Sequence, residues 1–333
     1  MGLSMMQRPE VSVVIPTRNR PELVPRAVRS ALDQTLREIE VIVVVDGPDP
    51  STGEALAAHA DPRLRLVELP ESGGAPAARN IGAKEATAPY VALLDDDDEW
   101  LPEKLATQLK LAQESEHRLP IVASRLSVRT PRAEFVIPRR LPEPAEPLSE
   151  YFSVRRGLFH GEGFIQTSTI FAPTELLLQV PFTPGLRRFQ ELDWTLRALQ
   201  VEGVGVEYAS EPLVVWYADE NRQRISFDSP WRQSFEWLKE SRDLVTPRAY
   251  AALAMSVVSS VAADSSNPRV FLDLLREAHK HGKPGITDYV TFMQVWLVPP
   301  RPRRAVRDFV LGRRRARESR TVTPMSEART LSE

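Results

Sequence analysis

The chain reads as an α/β protein, a mostly parallel sheet flanked by helices and followed by a C-terminal helical extension. Three observations carry that reading. Short apolar, β-branched runs alternate with helical spacing through the first hundred residues. Three of those junctions, at 16–20, 46–49 and 95–98, hold turn, polar or acidic residues directly after a strand. From about Ser226 onward the pattern is helical alone. Strands joined by short helical crossovers imply parallel pairing, with both faces of the sheet covered.

The elements come in this order. Residues 11–15 are a continuous apolar strand closed by Pro16, and Thr17-Arg18-Asn19-Arg20-Pro21 has helix-start chemistry. Leu23, Val24, Ala27, Val28, Ala31 and Leu32 then recur at helical spacing. A second strand at 40–45 ends in Asp46-Gly47-Pro48-Asp49-Pro50. A short helix over 53–60, a strand at 64–69, a turn at Glu71-Ser72-Gly73-Gly74 and a helix over 77–88 lead to the strand 90–94. In the middle third, 121–128 and 135–137 read as strands and 138–147 as a Pro-rich exposed loop. Residues 161–169 suggest a glycine-hinged loop entering a strand, and 189–197 a helix start bearing Glu191 and Asp193. Strands at 203–208 and 212–217 come next. Beyond them Trp231, Phe235 and Leu238 mark a helix, and Thr246-Pro247 and Asn267-Pro268 read as caps with proline at the first helical position. A last apolar stretch, 286–298, precedes Arg301, Arg303, Arg304 and Arg307; the polar tail 313–333 reads as disordered.

Composition removes several function classes. The 333 residues carry a net charge of −2, which provides no whole-chain attraction to nucleic acid. There is no cysteine, so disulfides, thiolate metal sites and a cysteine nucleophile are excluded. No apolar run approaches the ~18–20 residues that span a bilayer, and residues 1–10 do not read as a signal peptide. The expected location is the cytoplasm. A Walker loop and a Gly-X-Gly-X-X-Gly turn after a strand are both missing, which disfavours an NTPase or a dehydrogenase.

The chemistry concentrates at Asp95-Asp96-Asp97-Asp98, directly after Tyr90-Val91-Ala92-Leu93-Leu94. Two carboxylates ~4 Å apart repel by ~4 kcal/mol at an effective dielectric of ~20. A hard divalent cation, Mg²⁺ or Mn²⁺, removes that cost. The plainer alternative is a solvated acidic loop, one of whose aspartates caps the next helix. In a parallel sheet, ligands bind beyond the carboxyl ends of the strands, so 16–20, 46–49 and 95–98 are expected to converge on one site. Alternate residues of an extended segment share a face, so Asp95 and Asp97 point the same way.

Five segments taken together resemble the family-2 glycosyltransferases, whose fold is of the GT-A type. They are Val13-Val14-Ile15-Pro16-Thr17-Arg18-Asn19-Arg20, the 40–47 strand ending in Asp46-Gly47, Gly73 to Gly82, Leu93 to Pro102, and Gln190-Glu191-Leu192-Asp193-Trp194. The resemblance covers 9–225 as a catalytic domain and leaves 226–312 as the helical extension. It implies inverting transfer of a sugar from a nucleoside-diphosphate sugar to an acceptor hydroxyl, with Mn²⁺ or Mg²⁺, in surface polysaccharide or glycoconjugate synthesis. Two departures stand out: Val45 replaces the first of two acids usual before Gly47, and Glu191 stands where Asp is usual.

On that basis Asp97 and Asp98 are the candidate metal ligands, Asp98 with helix capping as its alternative. Pro16, Thr17, Asn19, Asp46, Arg79, Asp95 and Asp96 are the candidate donor-site residues, Asp95 towards the ribose or the metal and Asp96 as a solvated spacer. Asp46 would accept from a pyrimidine imide N–H, or close an Asx-turn with Gly47. Asn19 has plain capping as its alternative. Arg79 would touch the diphosphate or ribose, or pair with the aspartates. Glu191 is the expected general base and Asp193 the second candidate. Arg222 and Arg224 are candidates for the diphosphate and His160 for the acceptor, with surface and structural roles as alternatives. The acceptor is expected to be a glycan or a lipid-linked glycan. The stretch 286–298 with its arginines either rests on an anionic membrane surface or docks on the catalytic core. Competing readings are a nucleotidyltransferase, which typically carries a Gly-rich, Lys/Arg-bearing loop where Pro16-Thr17-Arg18-Asn19 stands, and a non-catalytic nucleotide- or sugar-binding remnant of the fold.

Overall fold

The computed structural model describes residues 8–57, 59, 61–157, 162–218, 231–263 and 267–299, together with 302, 303, 305, 306, 309 and 310. His160, Arg222, Arg224 and the tail 313–333 lie outside the described residues. A nine-stranded sheet organises the first two-thirds. Its first block is parallel: β3 (Leu64–Glu68), β2 (Ile39–Val45), β1 (Val11–Thr17) and β4 (Tyr90–Leu93), in that spatial order. Next to β4 come β8 (Phe171–Pro173), β6 (Leu119–Arg129), β9 (Val204–Tyr217) and β5 (Glu99–Trp100), with β7 (Glu134–Ile137) pairing β6 at one side. The mixed half begins at β8, which runs antiparallel to both β4 and β6.

The parallel block is a consequence of its sequence. Every residue of β1 is buried, and period-2 alternation divides them between two layers. Val11, Val13 and Ile15 pack with Val24, Ala27 and Val28 of α1 (Val24–Leu32). Val14, with Ile42 and Val44, packs with Ala78 and Ala83 of α3 (Ala75–Glu85) on the other face. Helix α2 (Pro50–Ala57) starts at Asp49, whose carboxylate accepts from Ser51 Oγ at 2.6 Å and from the Thr52 side chain. Gly82 fixes how closely α3 lies on β1, because a Cβ there would overlap Val14 Cγ1. Gly82→Ala is expected to cost about 1–3 kcal/mol, read from the urea midpoint, since overpacking forces backbone or rotamer shifts.

Several elements differ from expectation. The two strands at 203–208 and 212–217 are one, β9, with a register irregularity opposite Ser124–Leu126. Helix α4 (Lys104–Glu114) carries no clear sequence signal because its buried face includes Lys104 and Gln108, which break the apolar period. Lys104 lies wholly buried with its ammonium 3.9 Å from the Trp100 ring centroid. The β8 strand is too short to carry a periodic signal, as are α5 (Leu148–Ser153) and α6 (Thr174–Gln179). The Thr246 and Asn267 caps are present, accepting from the Ala249 and Arg269 amides.

The C-terminal helices build a third apolar cluster around Trp237, Tyr250, Leu253, Met255, Leu274 and Phe292. It reaches the sheet domain through Leu186, with Phe189 and Leu192 packed against it. A π-helical turn, Leu253–Val258, interrupts the helix that begins at Pro247. Such turns re-aim side chains, and Leu253 and Val257 line the central cavity.

Candidate active site

The three strand-end segments do converge. A cavity of about 880 Å³ opens at the carboxyl edge of the parallel block, and Pro16, Thr17, Asn19, Asp46, Arg79, Asp95, Asp96, Asp97 and Glu191 all line it. Asp98 and Asp193 are not among its lining residues.

Behind β4 the chain turns, with the Asp98 amide donating to the Asp95 carbonyl at 3.1 Å. The turn sorts the four carboxylates. Asp95, Asp97 and Asp98 each offer an oxygen within 4.8 Å of the others. Asp96 points away from them, accepting from Thr17 Oγ1 at 2.8 Å and pairing with Arg20 at 2.8 Å. It is buried, so the expectation of a solvated spacer is wrong: Asp96 ties the 95–98 turn to the end of β1. Burial, its largest influence, pushes Asp96 up to about 6 against the pull of Arg20. The folded protein therefore holds a proton there that the unfolded chain has lost, between about pH 4 and 6. By linkage, stability falls as pH rises through that window. Asp96→Asn is expected to flatten the fall in melting temperature between pH 4 and 6 in metal-free protein.

Asp98 is wholly buried. Its Oδ2 accepts from Ser168 Oγ at 2.6 Å and Gln166 Nε2 at 2.8 Å, whereas Oδ1 has no hydrogen-bond partner among the described residues. Burial, then the charges of Asp97 and Asp95, push it well above the usual carboxylate range. An orphaned buried carboxylate oxygen beside two more carboxylates fits a divalent cation, which satisfies the lone pair and relieves the repulsion.

Neighbouring backbone and side chains hold the donor-site candidates in place. Asn19 has φ 52°, a left-handed conformation that asparagine tolerates, and its amide donates to Asp49 Oδ2 at 2.7 Å. The capping alternative fails for it, because the cap position of α1 is Leu23, with no side-chain cap. Burial would raise Asp49, but the Ser51 and Thr52 hydroxyls and the Asn19 amide hold it down at about 2. Asp46 closes no Asx-turn with Gly47; it accepts from Ser72 Oγ at 2.7 Å, the Gly73 amide at 2.8 Å and the Gly74 amide at 3.0 Å. Gly74, at φ 83°, supplies the positive φ that this turn before α3 needs. Arg79, nearly buried, donates to Asp95 Oδ1 at 2.7 Å and Gln190 Oε1 at 2.5 Å, so it pairs with the acidic turn and links it to α7 (Gln190–Ala198).

Glu191 sits in the first turn of α7, where Thr167 Oγ1 donates to its Oε1. Asp193 is turned into the protein. Its Oδ2 accepts from Thr183 Oγ1 at 2.7 Å and Arg197 Nη2 at 2.7 Å, and its Oδ1 from Trp237 Nε1 at 3.0 Å. Both oxygens are engaged, and the second base candidate instead clamps α7 to the C-terminal helices. Asp193→Ala is expected to cost about 2–4 kcal/mol in chemical denaturation, by stranding a buried indole N–H and part of a guanidinium.

Sequence reasoning misses some site residues. Arg20 lies in the first of the five segments with no role assigned to it, though it pairs with Asp96 and Asp97. Gln166, Thr167 and Ser168 read only as loop, yet Ser168 also accepts from the Asp95 amide at 3.0 Å and Trp100 Nε1 donates to its carbonyl at 2.9 Å. Phe164 and Trp216 stack at 5.9 Å in the cavity wall. Phe164 has a signal in the glycine before it: a Cβ on Gly163 would overlap the Tyr151 carbonyl, so that loop is pressed onto α5.

The carboxylate turn at the end of β4 and Glu191 of α7 thus border one cavity at the carboxyl edge of the parallel strands. Residues 12–164 match the family model Glycosyl transferase family 2. The chain is 27% identical over 252 residues to the amylovoran biosynthesis glycosyltransferase AmsB of Erwinia amylovora, covering 72% of this chain and 82% of that protein. It is 38% identical over 109 residues to the putative teichuronic acid biosynthesis glycosyltransferase TuaG of Bacillus subtilis, 32% of this chain and 43% of that one. The crystal structure of S. aureus TarS 1-349 in complex with UDP-GlcNAc superposes with a TM-score of 0.50 at 16% identity, over 86% of this chain and 79% of that one. Residues 12–164 are thus similar to the family-2 glycosyltransferases, and the fold is of the GT-A type.

Proposed function

We propose that the protein is an inverting, metal-assisted transferase that moves a sugar from a UDP-sugar to a hydroxyl of a glycan or lipid-linked acceptor in polysaccharide synthesis, in the cytoplasm. Residues 9–225 form the catalytic unit in this reading and 226–312 the helical extension. One observation carries it: the acidic turn and Glu191 border the same cavity, joined by Arg79 through Asp95 and Gln190. The UDP-GlcNAc bound to TarS supports UDP as the nucleotide, and the names of AmsB and TuaG support polysaccharide synthesis.

Asp97, Asp98 and Asp95 would hold Mn²⁺ or Mg²⁺, which when bound supplies Lewis-acid stabilisation of the departing diphosphate. The chain's own groups do the rest. Pro16, Thr17, Asn19 and Asp46 border the nucleotide side, where the Asp46-pinned turn shapes the cleft. Glu191 holds the acceptor hydroxyl and takes its proton on a carboxylate oxygen. The acceptor oxygen bonds to the anomeric carbon as the bond to the diphosphate oxygen breaks on the opposite face, inverting the configuration. Phe164 and Trp216 offer an aromatic wall to a sugar ring, and Leu253 and Val257 an apolar one. The test is proton NMR of the product formed from an α-linked UDP-sugar panel. A β-linked product is expected; an α-linked one from the same donor contradicts the single displacement.

A further inference from the structure

The last long described helix, Ile286–Leu297, is apolar nearly all round, yet only one face is covered. Phe292 and Val295 are buried in or beside the third core cluster, and Asp288 is buried while paired with Arg248 and capping the Gly285 amide. On the opposite side, Ile286, Val290, Met293 and Leu297 recur at i, i+4, i+7 and i+11, a single stripe. They are 80%, 45%, 44% and 70% exposed. Asp288 is the one charged residue between 286 and 297, and it lies on the covered face. The outer face of a surface helix ordinarily carries charges. A row of large apolar side chains there marks an interaction surface.

The segment after the stripe points to its partner. Residues 299–317 contain eight arginines against one acid, Asp308, a local charge of +7 in a chain whose net charge is −2. Val306 and Phe309, exposed at 55% and 58%, alternate with arginines along the sequence. At the root of this run cations are already crowded: burial first, and then Arg303 and Arg139, push the Arg155 guanidinium down to about 10, despite Glu162 and Asp288 nearby. Apolar side chains next to a dense basic run match a bilayer whose headgroups are anionic. A second copy of the chain would cover the stripe too, but would bring a second +7 segment against the first. No helix among the described residues is long and apolar enough to cross a membrane, so the contact is with the surface.

We propose that the Ile286–Val290–Met293–Leu297 stripe and the arginine run behind it dock the protein on an anionic lipid surface. This goes beyond the transfer reaction and does not depend on it. The experiment is co-sedimentation of the full chain with phosphatidylcholine vesicles, with and without phosphatidylglycerol. Wild type is expected to bind the phosphatidylglycerol vesicles, and to bind them at least about tenfold more weakly in high salt. The double variant Ile286→Asp/Leu297→Asp is expected to lose at least about tenfold in affinity with unchanged circular dichroism and melting temperature. Arg303→Glu/Arg304→Glu is expected to weaken binding to anionic vesicles alone. Wild type staying in the supernatant at every composition overturns the proposal, as does a double variant that binds like wild type. So does a vesicle-indifferent dimer, found by sedimentation velocity, that Ile286→Asp/Leu297→Asp breaks; the stripe then serves a second copy.

Discussion

Glu191→Gln is expected to lower kcat by about 10²–10⁴-fold, the usual worth of a positioned general base. The substitution keeps the length of the side chain and an oxygen that accepts from Thr167 Oγ1. Helix α7 and its contacts with Trp237 and Arg197 run through Asp193 and stay in place. Only the ability to take a proton goes. Donor KM is therefore expected to hold while kcat collapses, the mark of an interaction made in the transition state. Steady-state rates with a UDP-release assay check this. Asp193→Asn serves as contrast: its effect should fall on the melting temperature, because its carboxylate is spent on Thr183, Arg197 and Trp237. A Glu191→Gln enzyme within about threefold of wild type would move the base elsewhere in the cavity.

The second large effect is expected at Asp97. Its carboxylate faces the cavity, within reach of Asp95 and Asp98, and touches Arg20 at 3.3 Å. Asp97→Ala is expected to reduce turnover by about 10²–10³-fold, the scale for removing one preorganised electrostatic group from a site. Raising Mn²⁺ should recover part of the loss, since Asp95 and the Asp98 Oδ1 remain. Titrating Mn²⁺ against initial rate separates weakened metal affinity from misfolding. Asp96→Asn should behave differently, because Asp96 serves Thr17 and Arg20 rather than the cluster; its rate should track the integrity of the 95–98 turn and show no altered Mn²⁺ midpoint.

Much of this is legible in the amino-acid sequence, and the reasons are local. The fully buried β1 and the β2 buried at all but Glu40 read as parallel strands because a strand covered on both faces is apolar without alternation. Strand-end placement then brings Thr17, Asp46 and the aspartates to one edge. Beyond β4, the strands β6, β7 and β9 are legible, but β8 and β5 are not, because β8 contributes three residues and β5 two. The sorting of the four aspartates is only half legible. Period-2 logic puts Asp95 and Asp97 together, but the turn also brings Asp98 to them and sends Asp96 to Arg20. Ser168 and Gln166 carry no signal, since their part is to hold other residues across about seventy positions of chain. Asp193 misleads because its partners, Thr183 and Trp237, lie on separate elements that no spacing rule connects.

The most direct test of a metal-assisted UDP-sugar site is calorimetric titration of UDP into the wild-type protein, with and without Mn²⁺, beside GDP and dTDP. UDP is expected to bind in the presence of Mn²⁺ and at least about tenfold more weakly without it, with GDP and dTDP weaker under both conditions. UDP binding of equal strength with and without Mn²⁺, or tighter binding of GDP, would contradict it.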